Sequence, residues 1–282
     1  MIQKAEPAQW PELLELWQEA FHDERSLIAL FFSRLNRDAT VRIVMSGGRI
    51  AAAAYLINTK LDVNGRLMPI WYEYALATRK SERGRGIMTE MLEEIRQEAA
   101  SRGIPYTALL PSDDGLISFY QKRGYHSFFS SRTVSISRAQ LTDWAAKRES
   151  DAPLCDYSEL WDDAMTGSAG SVHWPLTAIT RALSLNSVGG ESVATMGDGF
   201  AIWREHDGCA DVREWIAFRG RSDYLARGLR LRSDCDEFRF RLPVYSEDFP
   251  GQGVVHYAGM LRSTDGRPLP RCDGAYLGLE LD

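Results

Sequence analysis

Two arginines and two glycines stand directly before a helical pattern in the first half of the chain. The stretch ERGRGIMTEML contains Arg83, Gly84, Arg85 and Gly86, and the apolar periodicity of a helix begins at Ile87. The first N–H groups of a helix lack partners within the helix and carry partial positive charge. When a glycine-rich turn leads into them, these donors converge and can hold a phosphate. The pattern indicates an anion site, with a solvated surface turn as the alternative.

The best-known phosphate-binding motifs do not account for this segment. The chain contains no G-x-x-x-x-G-K-[ST] sequence, and G-x-G-x-x-G fails because Thr89 stands at the position of the third glycine. The elements around the segment must therefore decide which kind of anion site it is.

Those elements predict a mixed α/β unit that ends near residue 138. A strand IQKAEP, helices at Pro11–Phe21 and Arg25–Leu35, and the strands TVRIVM, RIAAAAYLIN and MPIWYEYALAT precede the glycine-rich turn. Asn64-Gly65 is a strong hairpin signal between the last two strands. A helix at Ile87–Ser101, a strand YTALLP, a helix GLISFYQKRG and a strand pair YHSFFSSRTVSIS follow. The predicted order is β-α-α-β-β-β-α-β-α-β-β.

Two motifs in this order resemble the GNAT superfamily of N-acetyltransferases. LATRKSERGRGIMTEML resembles the acetyl-CoA signature R/Q-x-x-G-x-G/A after the fourth strand, with Arg83 and Gly86 matching and Met88 at the final position. A bulky residue there resembles the enhanced-intracellular-survival-type branch, whose members carry additional C-terminal domains. Thirty-four residues after Gly86, SFYQKRGY resembles the second signature, a helical tyrosine before Gly-Phe/Tyr; the matching residues are Tyr120, Gly124 and Tyr125.

The resemblance implies an enzyme that transfers acetyl from acetyl-CoA, a co-substrate, to a primary amine in a ternary complex. The backbone of Leu76, Ala77 and Thr78 would hold the pantetheine arm. Tyr120 would protonate the departing thiolate, and a plain core tyrosine beside Phe119 is the alternative. The pyrophosphate would lie on the N–H groups of the turn and the helix start, namely Arg83, Gly84, Arg85, Gly86, Ile87 and Met88.

Two carboxyl groups are candidates for the base that accepts the amine proton. Glu73 lies on the fourth strand, but strict alternation points it away from the face of Leu76 unless a bulge intervenes. The stretch DGAYLGLELD is apolar enough to be a packed strand, and it brings the carboxylates of Asp282 with it. The branch named above uses a C-terminal carboxylate as base, which makes Asp282 the second candidate. A strand that only closes the core is the alternative.

The second half of the chain repeats the element order after the polar segment 147–153. Helices in YSELWDDAM and WPLTAITRALSL are followed by the strands ESVATM, GFAIWRE and ADVREWIAF, a helix at about Asp223–Arg230 and the strand EFRFRLPVY. We therefore predict an α/β fold with mixed sheets (α+β) in two domains. Residues 1–147 would be the catalytic, acetyl-CoA-binding lobe. Residues 148–282 would be a degenerate GNAT-like lobe that has lost cofactor binding, with an unrelated α+β domain as the alternative.

Composition narrows the classes of partner. The chain has 282 residues and a net charge of −6, so no basic field points to nucleic acid. No apolar run could span a bilayer and the start MIQKAEPAQW lacks a signal-peptide core, so we expect no membrane association and a cytoplasmic location. The four cysteines are widely spaced and no metal-ligand cluster is present, so neither a disulfide scaffold nor a metal site is predicted.

The acceptor would be a small-molecule or peptide amine, with Tyr72 and Tyr74 as candidate lining of its cleft, and self-association into a homo-oligomer stays open. The alternative function is a non-catalytic acyl-CoA-binding or sensing protein. Such a protein needs the phosphate cradle but has no use for an acid beside the sulfur. The joint presence of Arg83, Gly86 and Tyr120 therefore favours the enzyme.

Overall fold

The computed structural model describes residues 2–34, 39–146, 156–196 and 198–279. They form two compact units, each assembled from three chain segments. The first unit comprises Met1–Leu61, Leu67–Phe128 and Gly259–Pro270, and the second comprises Asp62–Arg66, Phe129–Ala258 and Arg271–Asp282. The predicted boundary between residues 147 and 148 falls in 147–155, outside the described residues, so the division into 1–147 and 148–282 stays a prediction.

The elements of the first unit follow the predicted order up to the strand pair that was predicted in YHSFFSSRTVSIS. They are β1 (Ile2–Lys4), α1 (Trp10–Phe21), α2 (Arg25–Ser33), β2 (Ala39–Ser46), β3 (Arg49–Val63), β4 (Arg66–Thr78), α3 (Ile87–Ser101), β5 (Tyr106–Leu109), α4 (Asp114–Gln121) and β6 (His126–Ser127). The hairpin between β3 and β4 turns at Asn64 and Gly65, with φ of 55° and 80°. Both central residues of a tight type I′ turn need a positive φ, which is the reason for the Asn-Gly pair.

Helix α3 is held against the sheet by small side chains. Met91, Ile95 and Ala99 form one buried stripe on it, and they pack against Ala52 and Ala54 of β3. Alanines on the strand let the helix approach the sheet closely, and the spacing of the stripe is the helical period that the sequence shows. Close packing here matters for the site because the start of α3 carries the glycine-rich turn.

A strand from far along the chain completes the first sheet. The strands run in the order β1-β2-β3-β4-β5-β14-β6, where β14 is Met260–Ser263. Strand β14 pairs antiparallel with β5 and with β6, so it lies inside the sheet and not at its edge. Sequence periodicity did not predict it, because a short apolar segment after the second half carries no local signal of its partner.

The second unit repeats the central pattern of the first. Its elements are β7 (Ser130–Ser137), α5 (Arg138–Trp144), α6 (Tyr157–Ala164), β8 (Val172–His173), α7 (Leu176–Val188), β9 (Ser192–Met196), β10 (Gly199–His206), β11 (Cys209–Ala217), α8 (Ser222–Arg232), β12 (Glu237–Leu242) and β13 (Val254–Tyr257). The sheet order is β13-β7-β12-β11-β10-β9. Strands β11 and β12 are parallel and joined through α8, as β4 and β5 are joined through α3. The predicted fold class, two mixed α+β lobes, is confirmed.

Two predicted elements differ in the structure. The segment YHSFFSSRTVSIS was assigned as a strand pair of the first lobe, but β7 pairs with β12 and β13 in the second sheet. The segment DGAYLGLELD was predicted as a packed strand. Its described part is packed, with Tyr276, Leu277 and Leu279 each 2% exposed, but it forms no strand up to Leu279. Its contacts instead go to the buried carboxylate of Glu214, which accepts hydrogen bonds from the Tyr276 hydroxyl and the Leu279 N–H at 2.7 and 2.6 Å.

Candidate active site

The first unit holds a cavity of about 700 Å³. Small-molecule sites usually have volumes of about 300 to 1,000 Å³. The cavity lies where β4 ends, α3 begins and α4 faces them. Its lining consists of residues 76–78, 82–84, 86–89 and 112–113 together with Ala20, Phe21, Leu116, Phe119, Tyr120 and Arg123. All predicted cofactor-binding residues except Arg85 line it, and Tyr120 lines it as well.

The start of α3 presents backbone donors to this cavity. Gly86 is the N-cap, and the first helical hydrogen bond is donated by the Glu90 N–H to the Gly86 carbonyl. Among the described residues, none accepts a hydrogen bond from the N–H groups of residues 86–89. Gly84 and Gly86 have φ of 78° and 82°, and a Cβ added at Gly86 would meet no atom within 4 Å. The donors are therefore free to hold an anion, and only the absence of a side chain keeps the approach open.

Two guanidinium groups border the cavity. Arg83 donates to the Thr78 carbonyl at 3.1 Å and is exposed. Arg123 lies with its guanidinium 3.4 Å from the centre of the Phe119 ring and donates to the Thr89 hydroxyl at 3.0 Å. Within the described part of the chain, neither arginine forms a salt bridge. By contrast, Arg85 pairs with Glu82 and points elsewhere.

Strand β4 separates from strand β5 at the edge of the cavity. Its parallel pairing with β5 ends at Tyr72 opposite Ala108, whereas β4 itself continues to Thr78. Ala75 has a φ of 46°, a left-handed backbone for a residue with a side chain, and it interrupts the alternation of the strand. The backbone of residues 76–78 therefore lies beside the cavity without a β5 partner. Met88, at the position of the signature's final glycine, lines the cavity and also packs against the core around α3 and α4.

Tyr120 reaches the cavity from α4 and is 6% exposed. Burial raises the pKa of its hydroxyl, and the negative charge of Glu73 raises this pKa further. Among the described residues, none forms a hydrogen bond with this hydroxyl. Tyr120 therefore remains protonated at neutral pH, and its hydroxyl donates to no acceptor in the part of the protein that the structure describes.

Glu73 does not line the cavity. The strand irregularity that could have turned Glu73 towards the face of Leu76 is nevertheless present, at Ala75. Its side chain is fully buried and accepts a hydrogen bond from the Tyr125 hydroxyl. Arg262 of β14 approaches it at 3.4 Å, and the same guanidinium lies 4.4 Å from the centre of the Tyr125 ring. Burial raises the pKa of Glu73, and the charge of Arg262 only partly offsets this. Its geometry is that of a group that holds Tyr125 and β14 in place.

Tyr72 and Tyr74 do not line the cavity. Tyr72 is 3% exposed. Tyr74 packs in an aromatic cluster with Trp17 and Phe31 at 5.7 and 5.4 Å between ring centres. Asp282 lies outside the described residues.

Sequence reasoning missed Arg123 and Arg262. Arg123 was visible in the second motif, SFYQKRGY, immediately before Gly124, and its position one turn after Phe119 could have indicated it. Arg262 carried no such signal, because its partner Glu73 is 189 residues away.

The comparisons agree with this geometry. Residues 1–128 match the family model described as the acetyltransferase (GNAT) domain. The resemblance to the GNAT acetyltransferases that was predicted from the sequence is confirmed by this match, which spans somewhat less than half of the chain. Among curated proteins, no match is found.

Solved structures extend the likeness over nearly the whole chain. A protein from Enterococcus faecalis described as a probable N-acyltransferase shares 14% identity with a TM-score of 0.70, over 94% of this chain and 72% of that one. Eis1 from Mycobacterium abscessus shares 18% identity with a TM-score of 0.69, over 94% and 74%. A tandem GNAT protein from the clavulanic acid biosynthesis pathway shares 11% identity with a TM-score of 0.51, over 95% and 99%. These TM-scores and coverages show a common fold over both lobes of the chain.

The match of residues 1–128 to the acetyltransferase (GNAT) domain supports acyl transfer in general. Across the described ranges, no helix combines the length and the apolar character that a membrane span requires.

Proposed function

We propose that this protein transfers an acetyl group from acetyl-CoA to a primary amine. The observation that carries the proposal is the meeting of three groups in one cavity of the first unit. They are the N–H donors at the start of α3, which have no acceptor among the described residues, the guanidinium of Arg123, which forms no salt bridge there, and the protonated hydroxyl of Tyr120. The first two suit the pyrophosphate of a coenzyme, and the third suits a departing sulfur.

The reaction needs one bond formed, one broken and two proton transfers. The neutral amine nitrogen attacks the thioester carbonyl carbon, the C–S bond breaks, and the sulfur takes a proton from Tyr120. Backbone N–H groups of residues 76–78, where β4 extends beyond its pairing with β5, would stabilise the carbonyl oxygen as charge develops on it. The amine nitrogen loses a proton in the same turnover.

For that second proton, the two carboxylates named from the sequence are not equivalent. Glu73 is enclosed by Tyr125 and Arg262, so we assign it a structural role. Asp282 stays the candidate base of the two, as a proposal that rests on the resemblance alone.

The test is release of free thiol from acetyl-CoA in the presence of a panel of amines: a polyamine, an aminoglycoside and a lysine peptide. We expect release that depends on the amine and produces the acetylated amine in equal amount. If coenzyme A binds but no amine increases thiol release, the chain is an acyl-CoA-binding or sensing protein instead. Longer acyl-CoA thioesters in the same assay define the acyl preference.

Replacing Gly86 with valine is expected to weaken coenzyme A affinity about tenfold or more. The β-branched side chain would occupy the open space through which a phosphate reaches the N–H groups of α3. Isothermal titration calorimetry with coenzyme A measures the effect.

Gly103→Val is the matched control for this change. Gly103 follows the other end of the same helix, has a φ of 71° and also has no atom within 4 Å of an added Cβ. Both variants carry the same left-handed backbone strain, about 1–2 kcal/mol, but only Gly86 lines the cavity. Equal affinities in the two variants would rule out phosphate binding at this turn.

A further inference from the structure

The second unit holds a cavity of its own, of about 500 Å³. It lies beside the end of β11, the start of α8 and the loop after β12. In the first unit, the candidate active site lies at the corresponding place, where a parallel strand pair and its crossover helix meet. The cavity in the second unit therefore occupies the position of a ligand site in this fold.

Its chemistry differs from that of an anion site. Three carboxylates line it, on Asp223, Glu247 and Asp248, against the single guanidinium of Arg219. Arg219 is exposed and donates to the Thr166 carbonyl at 2.7 Å. A coenzyme pyrophosphate would meet net negative charge here, so this cavity disfavours anions.

Asp248 is the best-positioned of these carboxylates. Its Oδ2 accepts hydrogen bonds from the Ser222 hydroxyl at 2.8 Å and from the Trp215 indole N–H at 3.2 Å. Across the described residues, no donor is bonded to Oδ1. Burial raises the pKa of Asp248, and its two hydrogen bonds and the charge of Arg132 offset this only in part, so a further cation beside it would favour the ionised carboxylate. The two bonds to Oδ2 hold the group in one orientation and leave the other oxygen for a ligand.

Aromatic rings and an unsatisfied hydroxyl complete the site. Trp144 and Trp215 line the cavity with their ring centres 5.3 Å apart and their planes at 37°. Ser168 also lines it, is 4% exposed, and its Oγ has no hydrogen-bond partner in the described part of the chain. Indole faces attract organic cations and apolar groups alike, and a buried hydroxyl without a partner is a position that a polar ligand can satisfy.

We propose that the second-unit cavity binds a small organic cation, with its ammonium group on Asp248 and its apolar body against Trp144 and Trp215. This site is separate from the acyl-transfer site and goes beyond the proposed function. The second lobe would then be a binding lobe with a ligand opposite in charge to coenzyme A.

The test follows the indole N–H of Trp215 in two-dimensional ¹H–¹⁵N NMR spectra of the full chain, with the peak assigned by Trp215→Phe. Phenethylammonium is the probe, and its neutral counterpart 2-phenylethanol and coenzyme A are the comparisons. We expect the peak to shift and saturate with phenethylammonium only. Equal shifts with 2-phenylethanol, or a saturating shift with coenzyme A, would overturn the proposal, as would the absence of any shift with the amine.

Asp248→Asn tests the role of the charge, since asparagine keeps an oxygen that can accept from Ser222 and Trp215. Loss of a hydrogen bond to a charged group predicts binding about tenfold weaker or more. Asp236→Asn removes an exposed carboxylate away from the cavity and should leave the affinity unchanged. Unchanged affinity in Asp248→Asn contradicts the proposal. If this variant does not fold, the comparison of phenethylammonium with 2-phenylethanol in the unmodified chain still tests whether the cavity selects a cation.

Discussion

Removal of the Tyr120 hydroxyl alone, in Tyr120→Phe, is expected to lower kcat by about 10²-fold or more while coenzyme A affinity stays nearly unchanged. The Tyr120 side chain is 6% exposed, burial raises the pKa of its hydroxyl, and across the described residues no hydrogen bond to this hydroxyl is found, so its loss leaves no protein group unpaired. The ring keeps its packing against Phe119 and Tyr125. The expected loss therefore reports proton transfer and not a change in fold. Steady-state kinetics with acetyl-CoA and an active amine, together with calorimetry, measure the two quantities.

Tyr106→Phe is the control for this experiment. The Tyr106 hydroxyl lies in the same unit but donates to the Pro268 carbonyl at 3.1 Å, and it does not line the cavity. We expect its removal to leave kcat within about twofold of the unmodified enzyme, because hydrogen-bond loss there affects stability and not the reacting atoms. If Tyr120→Phe retains normal turnover, Tyr120 is a packing residue and the acid lies elsewhere.

Replacing Arg262 with methionine is expected to lower the free energy of unfolding by about 3–5 kcal/mol, the typical cost of leaving one partner of a buried ion pair. Arg262 and Glu73 have side chains 3% and 0% exposed and approach at 3.4 Å. Arg262 also donates to the Leu92 carbonyl of α3 at 2.9 Å, so the substitution removes a tie between β14 and this helix. Urea unfolding followed by circular dichroism measures the change.

The pH dependence of this variant separates charge from packing. Burial raises the pKa of Glu73 above its unfolded value, so folding is less favourable when this carboxyl is ionised than when it is protonated. A raised pKa contributes stability at low pH, and that contribution is lost as the pH rises through the folded-state pKa. Without Arg262 the folded-state pKa rises further, so the defect should be smaller near pH 5 than near pH 8.

The double variant Glu73→Gln, Arg262→Met completes the test, because it removes the buried charge as well as its partner. We expect it to recover part of the lost stability and to lose the added pH dependence. A single variant within about 1 kcal/mol of the unmodified protein at both pH values, or a defect independent of pH, would contradict the ion-pair explanation.

The sequence by itself determined the elements whose signals are local. The limits of α3 at Ile87 and Ser101 followed from its apolar stripe, the glycine-rich turn before it and Gly103 after it. The hairpin at Asn64-Gly65 followed from the positive φ that its turn demands. The same locality allowed the candidate anion site to be predicted from the sequence, because its donors and its glycines lie within a few residues of one another. The repeated order of elements in the second half was likewise visible in periodicity alone.

Only the tertiary structure decided the features that join distant segments. It placed β14 inside the first sheet, β7 in the second sheet, and Arg262 beside Glu73. It gave Ala75 its left-handed backbone and placed the candidate base Glu73 in a buried position beside Tyr125 and Arg262. Strand pairing is set by hydrogen bonds and side-chain packing between segments that can be more than a hundred residues apart. The periodicity of one segment does not indicate which other segment it pairs with. Those pairings therefore decided which of the predicted side chains reach the cavity and which are enclosed by the core.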